Sequence, residues 1–377
     1  MSRTLVVTTT FPQFDGDPRG AFIRTHWEQR ASAGDQITIL APRSAWCHGG
    51  ASGSCLVRRV RYAPKLLSSL TGNFGILENI RARPWRAALV PALWVALRRA
   101  LVREIDAERP HRVAAHMLLP AGWIVASICH ARGIPFELYG HGTDVDVLMR
   151  APDRMRRWFW STARVAEQIH LPSHDKRTRF AESFGLEPDD PRLRVEPMVH
   201  CVPTPAREPA VEGERRRGSG ILYLGRLIEQ KGVDDLLLAA AMLEPGHVVH
   251  VAGDGPYRRR LQRLARRLGL RVHFHGFVCG SAKERLFDDA GVLCVPSREI
   301  RGGLSEGSPL VIREALARGL PVVASSVGGI PELCQDDGRV RLVPARDPAA
   351  LADALIDVLR GRAVEEAPPE PDAAASH

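Results

Sequence analysis

A glycine-rich loop between residues 295 and 310 joins a buried strand to a helix, and its residue types suit phosphate binding. The strand ends at Val295, and the helix is predicted to begin near Ser308, with Pro309 close to the first turn, where a missing N–H is harmless. The free N–H groups of that turn, at Ser308, Leu310 and Val311, and the helix dipole together favour an anion. We therefore expect a phosphate group at the start of this helix.

Two glutamates flank the same helix start. Glu306 lies just before the helix, and Glu314 lies eight residues later, about two helical turns further on. A carboxylate beside a phosphate site is electrostatically unfavourable unless it accepts hydrogen bonds from ligand hydroxyls or faces positive charge that develops on the ligand. Sugars provide both features, so a ligand that combines phosphate with sugar fits this stretch.

Two basic residues flank a second strand-to-helix loop. Arg226 follows a predicted strand, and Lys231 precedes the next predicted helix. Both could neutralise a diphosphate, Arg226 through its forked guanidinium group and Lys231 as a point charge. The alternative is an ordinary solvated loop.

Glycines and a histidine mark three further strand ends. Gly253 lies where glycine lets the backbone approach a ligand, although a plain tight turn explains this residue equally well. His141 lies between two glycines at the carboxyl end of a strand, which favours a functional role over a role in the core. The loop after the first strand carries Arg19 and Gly20, which could face a cleft.

The elements that must position these residues alternate along the whole chain. Short β-branched runs alternate with amphipathic helical stretches, which predicts an α/β fold with parallel sheets. Six strands are predicted in each half, the first of them at residues 4–8 and 221–224. Residues 205–219 are rich in proline, glycine and charge, which indicates a linker. We therefore predict two facing doubly wound, Rossmann-like domains, residues 1–204 and 220–364, whose strand carboxyl ends form a cleft between them.

The composition excludes several protein classes. Of the 377 residues, 45% are hydrophobic and 25% are charged, as in ordinary globular proteins and unlike collagen-like or disordered chains. The longest apolar run, residues 87–97, is about half the roughly 20 residues of a membrane-spanning helix. The first residues resemble a strand and not a signal peptide, and the seven cysteines lack disulfide or zinc-site spacing. We expect a cytoplasmic, soluble or peripheral protein with a disordered tail at 365–377.

The excess positive charge is confined to the first half of the chain. Residues 1–200 carry 28 Arg and Lys against 19 Asp and Glu, whereas the remainder carries 24 of each. All seven tryptophans also lie in the first half, and segment 64–86 mixes apolar residues with arginines. This combination suits an anionic membrane surface. Arginine-rich codon usage and a plain helix pair covering the sheet are the alternatives, and no nucleic-acid-binding motif is present.

Together these features resemble the retaining glycosyltransferases of family 4, also called group 1, which have the GT-B fold. Glu306 and Glu314 match the family's E-x7-E arrangement, and the likeness runs continuously from about residue 221 to 345. The other matching motifs of the second half are Gly225-Arg226 with Lys231-Gly232, Ala252-Gly-Asp-Gly-Pro256, Phe274-His-Gly-Phe-Val278, Gly319-Leu-Pro-Val-Val-Ala324 and Gly328-Gly-Ile-Pro-Glu332. Over the first half the likeness rests on Thr9 to Phe22, Ala115-His-Met-Leu-Leu-Pro120 and His141-Gly-Thr-Asp144.

The resemblance implies a nucleotide-sugar donor, a UDP- or GDP-sugar, held mainly by the second domain, and an acceptor held by the first. Arg226 and Lys231 would hold the diphosphate, and Glu314 the ribose hydroxyls. Glu306 and His141 would contact the transferred sugar, and the backbone near Val278 would contact the base. The resemblance also implies retention of anomeric configuration without a cofactor or a bound metal. We expect the catalytic set to be His141, Glu306, Arg226 and Lys231, the wider donor site to include Gly20, Gly253, Ser308, Leu310 and Val311, and the acceptor side to include Arg19 and Asp144.

We expect the acceptor to be a polyprenyl- or other lipid-linked sugar of the cell envelope, used at the inner face of the membrane. Among transferases, a soluble small-molecule acceptor is the main alternative. A sugar-nucleotide 2-epimerase, which would turn over the donor without an acceptor, is a different enzyme class. A non-catalytic nucleotide-sugar binder is the remaining alternative.

Overall fold

The structure, a computed structural model, describes residues 2–14, 17, 19–45, 47, 53–71, 75–197, 220–300, 306–334 and 337–361. Within these residues it contains two parallel sheets. The strands of the first sheet are β1 (Arg3–Thr8), β2 (Gln36–Pro42), β3 (Leu56–Val60), β4 (Arg112–His116), β5 (Phe136–Tyr139), β6 (Gln168–Leu171) and β7 (Leu193–Val195). Those of the second are β8 (Gly220–Leu224), β9 (Val249–Ala252), β10 (Val272–Gly276), β11 (Ala290–Val295), β12 (Val322–Ser325) and β13 (Val340–Val343).

Helices fill the crossovers between the parallel strands. In the first half they are α1 (Ala21–Ser32), α2 (Ile76–Ala82), α3 (Val90–Glu108), α4 (Trp123–Arg132), α5 (Thr143–Met149), α6 (Asp153–Ala163) and α7 (His174–Phe184). In the second half they are α8 (Val233–Ala240), α9 (Arg258–Arg267), α10 (Gly280–Asp289), α11 (Leu310–Leu316), α12 (Ile330–Cys334) and α13 (Pro348–Leu359). Among the described residues, none of these helices is both long and apolar enough to cross a membrane.

Both sheets are doubly wound, as the sequence predicts. The strand order is β3-β2-β1-β4-β5-β6-β7 in the first sheet and β10-β9-β8-β11-β12-β13 in the second. Each sheet has apolar clusters on its two faces, because parallel strands are covered by helices on both sides. Strands that are buried on both faces are rich in β-branched residues, and this pattern allows the sequence to predict them.

One strand of the first sheet differs from the prediction. The sequence does not predict β3, because Leu-Val-Arg-Arg-Val carries two adjacent arginines and lacks a continuous apolar run. It lies at the sheet edge beside β2, where one row of side chains faces outward. Arg58 of this strand lies 3.8 Å from carboxylates of both Glu104 and Glu108 on α3.

The direction of winding reverses between β1 and β4 in the first sheet and between β8 and β11 in the second. Crevices outside the carboxyl ends of the strands form at such switch points. The segments that follow β1, β8 and β11 carry six of the predicted site residues, namely Arg19, Gly20, Arg226, Lys231, Glu306 and Ser308. The predicted linker at 205–219 and tail at 365–377 lie outside the described residues, and the domain limits stay a prediction.

Candidate active site between the two sheets

A cavity of about 610 Å³ lies at the carboxyl ends of the strands and has walls from both halves of the chain. Most of its lining comes from the first half, and Arg226, Ser308 and Leu310 come from the second. Six predicted site residues therefore meet around one space, namely Arg19, His141, Asp144, Arg226, Ser308 and Leu310. A cavity of this size can hold a small-molecule ligand.

The loops that carry His141 and Glu306 touch each other across the two halves. A Cβ built on Gly142 would lie 3.7 Å from the backbone nitrogen of Gly307, and a Cβ on Gly307 would lie 3.0 Å from Pro172. Gly142 also has a φ of 109°, which L side chains rarely adopt. The structure thus brings His141 and Glu306 onto facing loops, as their joint assignment to one ligand requires.

The proton positions of His141 follow from a chain of hydrogen bonds. The indole N–H of Trp27 can only donate, and it lies 2.8 Å from Nε2 of His116, which therefore accepts. Burial, followed by the neighbouring rings, holds the pKa of His116 well below its ordinary value, so the ring is neutral and carries its proton on Nδ1. That Nδ1 lies 3.0 Å from Nε2 of His141 and donates to it. Neutral His141 must then carry its own proton on Nδ1.

His141 stays neutral over the physiological pH range. Burial lowers its pKa to about 3, although the Glu196 carboxylate opposes the shift. Its ring stacks on that of His116 with centroids 5.2 Å apart and contacts Phe22 with centroids 5.0 Å apart. The side chain is therefore a fixed, uncharged hydrogen-bonding group at the cavity wall.

Asp144 fixes the backbone of the loop that carries His141. Its two carboxylate oxygens accept hydrogen bonds from the N–H groups of Leu118 (2.7 Å) and His141 (2.9 Å), which tie together the loops after β4 and β5. Burial raises the pKa of Asp144, although the backbone hydrogen bonds oppose that effect. Asp144 lines the cavity on the predicted acceptor side, and its observed contacts position His141.

Glu306 and Lys231, predicted from two separate loops, form an ion pair. Nζ of Lys231 lies 2.5 Å from Oε1 of Glu306, and both side chains are largely buried. Burial alone would raise the pKa of Glu306, but Lys231, Arg226 and Lys176 outweigh it, so the net shift is downward. Glu306 is therefore a carboxylate at neutral pH and can accept hydrogen bonds from ligand hydroxyls.

Arg226 has a partner that the sequence does not predict. Its Nη1 donates to Oε1 of Glu78 on α2 at 2.8 Å, across the two halves of the chain. The Glu78 side chain is 8% exposed and that of Arg226 is 37% exposed. The group expected to hold a diphosphate is thus bound to a carboxylate of the opposite wall.

The helix after the glycine-rich loop starts two residues later than predicted. α11 begins at Leu310, and Pro309 is the residue that precedes it, so Ser308 lies in the loop and not in the first turn. The Ser308 hydroxyl is buried and has no hydrogen-bond partner within the part of the chain that the structure describes. An unpaired buried hydroxyl in the lining of the same cavity as Arg226 is a polar group available to a ligand.

The other predicted donor residues lie outside the residues that line the cavity. Both carboxylate oxygens of Glu314 lie 2.7 Å from Nζ of Lys283 on α10. Val278 and Val311 are partly buried against one core of the second sheet. A Cβ on Gly253 would overlap the carbonyl oxygen of Gly225, so close approach of two loops requires this glycine.

The backbone conformation and surroundings of Gly20 also require a glycine. Its φ is 71°, and a Cβ there would lie 2.8 Å from the carbonyl oxygen of Thr10. It immediately precedes α1, whose buried face carries Trp27. Gly20 therefore lets the loop after β1 enter the helix that supports His116.

A carboxylate of the second half caps a helix of the first half. The two oxygens of Glu332 on α12 accept hydrogen bonds from the backbone N–H groups of His174 (2.6 Å) and Asp175 (2.7 Å). These are the first residues of α7, and Ser173 caps the same turn through Lys176 N–H at 3.2 Å. The helix start of one half is thus completed by the other.

Sequence reasoning assigns no role to Trp27, His116 or Glu78, although His116 lies in one of the matching motifs. A signal existed for His116, since it ends β4 as His141 follows β5, but the order of the strands was needed to place the two rings together. Glu78 gave no local signal. In the described residues no group of three or more His, Cys, Asp or Glu is arranged to hold a metal ion, and whether the reaction uses a metal stays a prediction.

Comparisons with known proteins agree on one family. The model of the family described as Glycosyl transferases group 1 matches residues 218–361. The GDP-mannose-dependent alpha-(1-6)-phosphatidylinositol monomannoside mannosyltransferase of Mycolicibacterium smegmatis is 32% identical and covers 72% of this chain and 72% of that protein. The protein of the same name from Mycobacterium tuberculosis is 29% identical and covers 97% of this chain and 91% of that protein.

Solved structures share the fold. Sucrose-phosphate synthase from Thermosynechococcus elongatus has a TM-score of 0.70 at 19% identity, over 97% of this chain and 92% of that chain. The Anabaena protein HepE in complex with UDP-glucose has a TM-score of 0.67 at 18% identity, over 96% and 90%. At such identities the likeness concerns the fold alone, and it confirms the predicted GT-B arrangement of the two sheets.

Proposed function

The chain belongs to the glycosyl transferases group 1, and on that premise we propose that it transfers a sugar from a nucleotide-sugar donor to a lipid-linked acceptor, with retention of anomeric configuration. The family and its relatives support a hexosyltransferase of cell-envelope glycan or glycolipid synthesis. The observation that carries the proposal is the cavity itself, whose lining includes a cation, Arg226, an unpaired hydroxyl, Ser308, and a neutral histidine, His141.

The donor diphosphate would lie against the second half of the chain. Arg226 and Ser308 line the cavity on this side, and Lys231, from the loop after β8, is paired with Glu306. As the bond to the sugar breaks, negative charge grows on the diphosphate, and fixed cations stabilise it more than they stabilise the ground state. These residues would thus perform leaving-group stabilisation without a bound metal or cofactor.

The transferred sugar would lie between Glu306 and His141. The Glu306 carboxylate can accept hydroxyl hydrogen bonds and favours positive charge that develops on the sugar ring. His141 offers Nδ1–H as a donor, because His116 fixes its tautomer. Departure of the diphosphate and attack of the acceptor on the same face of the sugar would give retention.

The identity of the donor is proposed from the relatives. A protein 32% identical to this chain is named as GDP-mannose-dependent, which supports GDP-mannose as the first donor to test. The HepE structure contains UDP-glucose but is 18% identical, so UDP-sugars are the second choice. Glu314, on α11, would hold the ribose hydroxyls if donor binding releases it from Lys283.

The acceptor is proposed from charge and from the relatives. All of the net positive charge and all seven tryptophans lie in the half that supplies most of the cavity wall. The relative's name includes a phosphatidylinositol mannoside, a lipid-borne sugar. We place the protein at the cytoplasmic face of the membrane as a peripheral enzyme.

A thermal-shift screen of the purified protein tests the donor site. A ligand that binds only the folded state raises the melting temperature by mass action. GDP, UDP, ADP and their common sugar conjugates are compared in the native protein, in Arg226→Ala and in Arg341→Ala. Arg341 is the matched control, since it is also paired with a carboxylate, Asp357 at 3.4 Å, in the second half. We expect a shift with one nucleotide family that Arg226→Ala abolishes and Arg341→Ala keeps.

Product analysis then separates the alternatives. Sugar transfer to a glycolipid, detected by mass spectrometry, supports the proposal, and transfer to a soluble acceptor alone contradicts its lipid part. Donor turnover without any acceptor would indicate a 2-epimerase. A nucleotide-specific shift with no turnover at all would indicate a non-catalytic binder, and no shift from folded protein would contradict the donor site.

A further inference from the structure

One side of the cavity is apolar and is built by three helices and a turn of the first half. The side chains come from α2, α3, the single turn Leu118–Gly122 and α4. We call this part the apolar chamber, defined by Ile76, Ile80, Leu93, Trp94, Leu119 and Trp123. Leu93 and Trp123 are buried members of the core on one face of the first sheet, so the floor of the chamber is rigid core and not a surface loop.

The chamber is continuous with the reaction centre. The same cavity is lined by His141 from the first half and by Arg226 and Ser308 from the second. Protein interiors are normally packed without voids larger than a water molecule, so an apolar space that opens on polar groups indicates a ligand with two unlike ends. One end would be polar and reactive, and the other would be hydrocarbon.

The hydrocarbon end must belong to the acceptor. In the proposed reaction the donor is polar along its whole length, and its diphosphate lies at Arg226 and Ser308. We propose that the apolar chamber binds the aliphatic chain of the acceptor, so that the chain is recognised inside the protein and not only in the membrane. This inference rests on the proposed function and adds a binding site to it.

The surface near the chamber suits the entry of such a chain. Met155 on α6 lines the cavity and is also 39% exposed, so the cavity reaches the surface there. Trp158, on the same helix, is 65% exposed and packs edge-on against Trp123 with centroids 4.9 Å apart. Exposed Arg154 and Arg157 lie beside them. Aromatic and basic side chains in this arrangement favour the boundary between acyl chains and anionic headgroups.

The described residues of the predicted interfacial segment 64–86, which are 64–71 and 75–86, contribute to the same region of the first half. Its helix α2 supplies the inner wall of the chamber, while Leu66 and Trp85 are exposed. Arg86 binds α2 through the backbone oxygen of Asn79 at 3.2 Å. The segment therefore presents apolar residues both to the chamber and to the outside, which a plain cover for the sheet does not need.

Monomeric acceptors with one sugar head group and alkyl chains of increasing length test the chamber in the absence of any vesicle. Each methylene that enters an apolar site favours binding by about fourfold, so kcat/KM should rise by that factor per carbon and then reach a plateau when the chamber is full. Chain-independent kcat/KM would overturn the proposal. A rise without a plateau would also contradict it, because an enclosed chamber has a limit.

Two substitutions on one helix provide the matched comparison. Val90→Phe on α3 adds a ring to the cavity lining, and Val95→Phe adds the same ring to the exposed face of that helix. We expect Val90→Phe to lower kcat/KM for long-chain acceptors by about tenfold and to make the plateau begin at a shorter chain length. The kcat/KM for short-chain acceptors and the GDP thermal shift should stay unchanged. Equal loss for all chain lengths would refute a chain-binding role.

A binding readout keeps this test separate from the proposed function. Alkyl glycosides with a bromine at the chain end should quench the fluorescence of Trp94 and Trp123, and Val90→Phe should weaken the quenching. Quenching without sugar transfer would support the chamber and contradict the transferase. Transfer without quenching or chain dependence would support the transferase and overturn the chamber.

Discussion

The pairing of Arg226 with Glu78 predicts that a substitution in the first half strengthens binding of the nucleotide to the second. Nη1 of Arg226 lies 2.8 Å from Oε1 of Glu78, and this contact competes with a diphosphate for the same guanidinium group. Glu78→Gln keeps the shape of the side chain and removes its charge. The diphosphate should then have less competition for Arg226.

The size of the effect follows from the burial of the two groups. A hydrogen bond between charged groups contributes about 1.5–3 kcal/mol when it is shielded from water. Glu78 is shielded, at 8% exposure, but Arg226 is 37% exposed, which reduces the contribution to about 1 kcal/mol. Since 1.4 kcal/mol is about tenfold in affinity, Glu78→Gln should lower the Kd for GDP about fivefold.

Isothermal titration of GDP into four proteins measures this effect. These are the native protein, Glu78→Gln, Arg226→Ala and the double variant, so that the coupling between the two residues is isolated. The gain should vanish in the Arg226→Ala background. Glu104→Gln, which weakens an ion pair with Arg58 on the far strand β3, should leave the Kd unchanged. Unchanged or weaker binding in Glu78→Gln would refute the reasoning and make Glu78 a residue that orients Arg226 toward the donor.

Three more predictions concern His141 with the residues that support it and the contact between the two halves. Trp27→Phe removes the hydrogen-bond donor to His116 and should let the proton of His141 move to Nε2, which ¹⁵N shifts of that ring would reveal. We expect kcat to be about tenfold lower and KM to change little. Glu332→Gln should weaken the cap on α7 by about 1 kcal/mol and increase the radius of gyration in X-ray scattering, and an unchanged radius would contradict it. Because the pKa of His141 is about 3 and that of His116 is also depressed, the unfolded chain binds protons that the folded chain does not. These two histidines should therefore not reduce the free energy of unfolding above about pH 6.5. Below that pH each should reduce it by up to about 1.4 kcal/mol per pH unit, as urea unfolding at pH 7 and 5.5 would show.

The fold could be predicted because buried parallel strands leave a strong local pattern. The observed strands β1, β6 and β13 begin and end within one residue of their predicted limits. β3 lies at an edge and carries two arginines, so the apolar run on which the prediction depended is absent there. The sequence predicts the start of α11 too early, because proline fits either the first turn or the residue before it.

The site could be predicted only residue by residue. His141 and Arg226 stand at strand ends in the sequence itself, and each could be selected without knowing its neighbours. Their partners could not, because Glu78 is 148 positions away from Arg226 and His116 meets His141 only through the pairing of β4 with β5. The sequence does not predict a role for the exposed face of α6 for a related reason, since only the fold shows that its Trp158 packs against Trp123.

The cap that Glu332 provides also bears on how separable the two halves are. The first sheet has its own apolar cores, but the first turn of α7 directs two N–H groups to a carboxylate of the other half. The first half, produced alone, would leave that helix start to water and would fray there first. A hybrid enzyme that exchanges the second half would keep the helix intact only if the new half brought a carboxylate to the same place. Each sheet thus has apolar cores of its own, whereas the start of α7 in the first half depends on a carboxylate of the second.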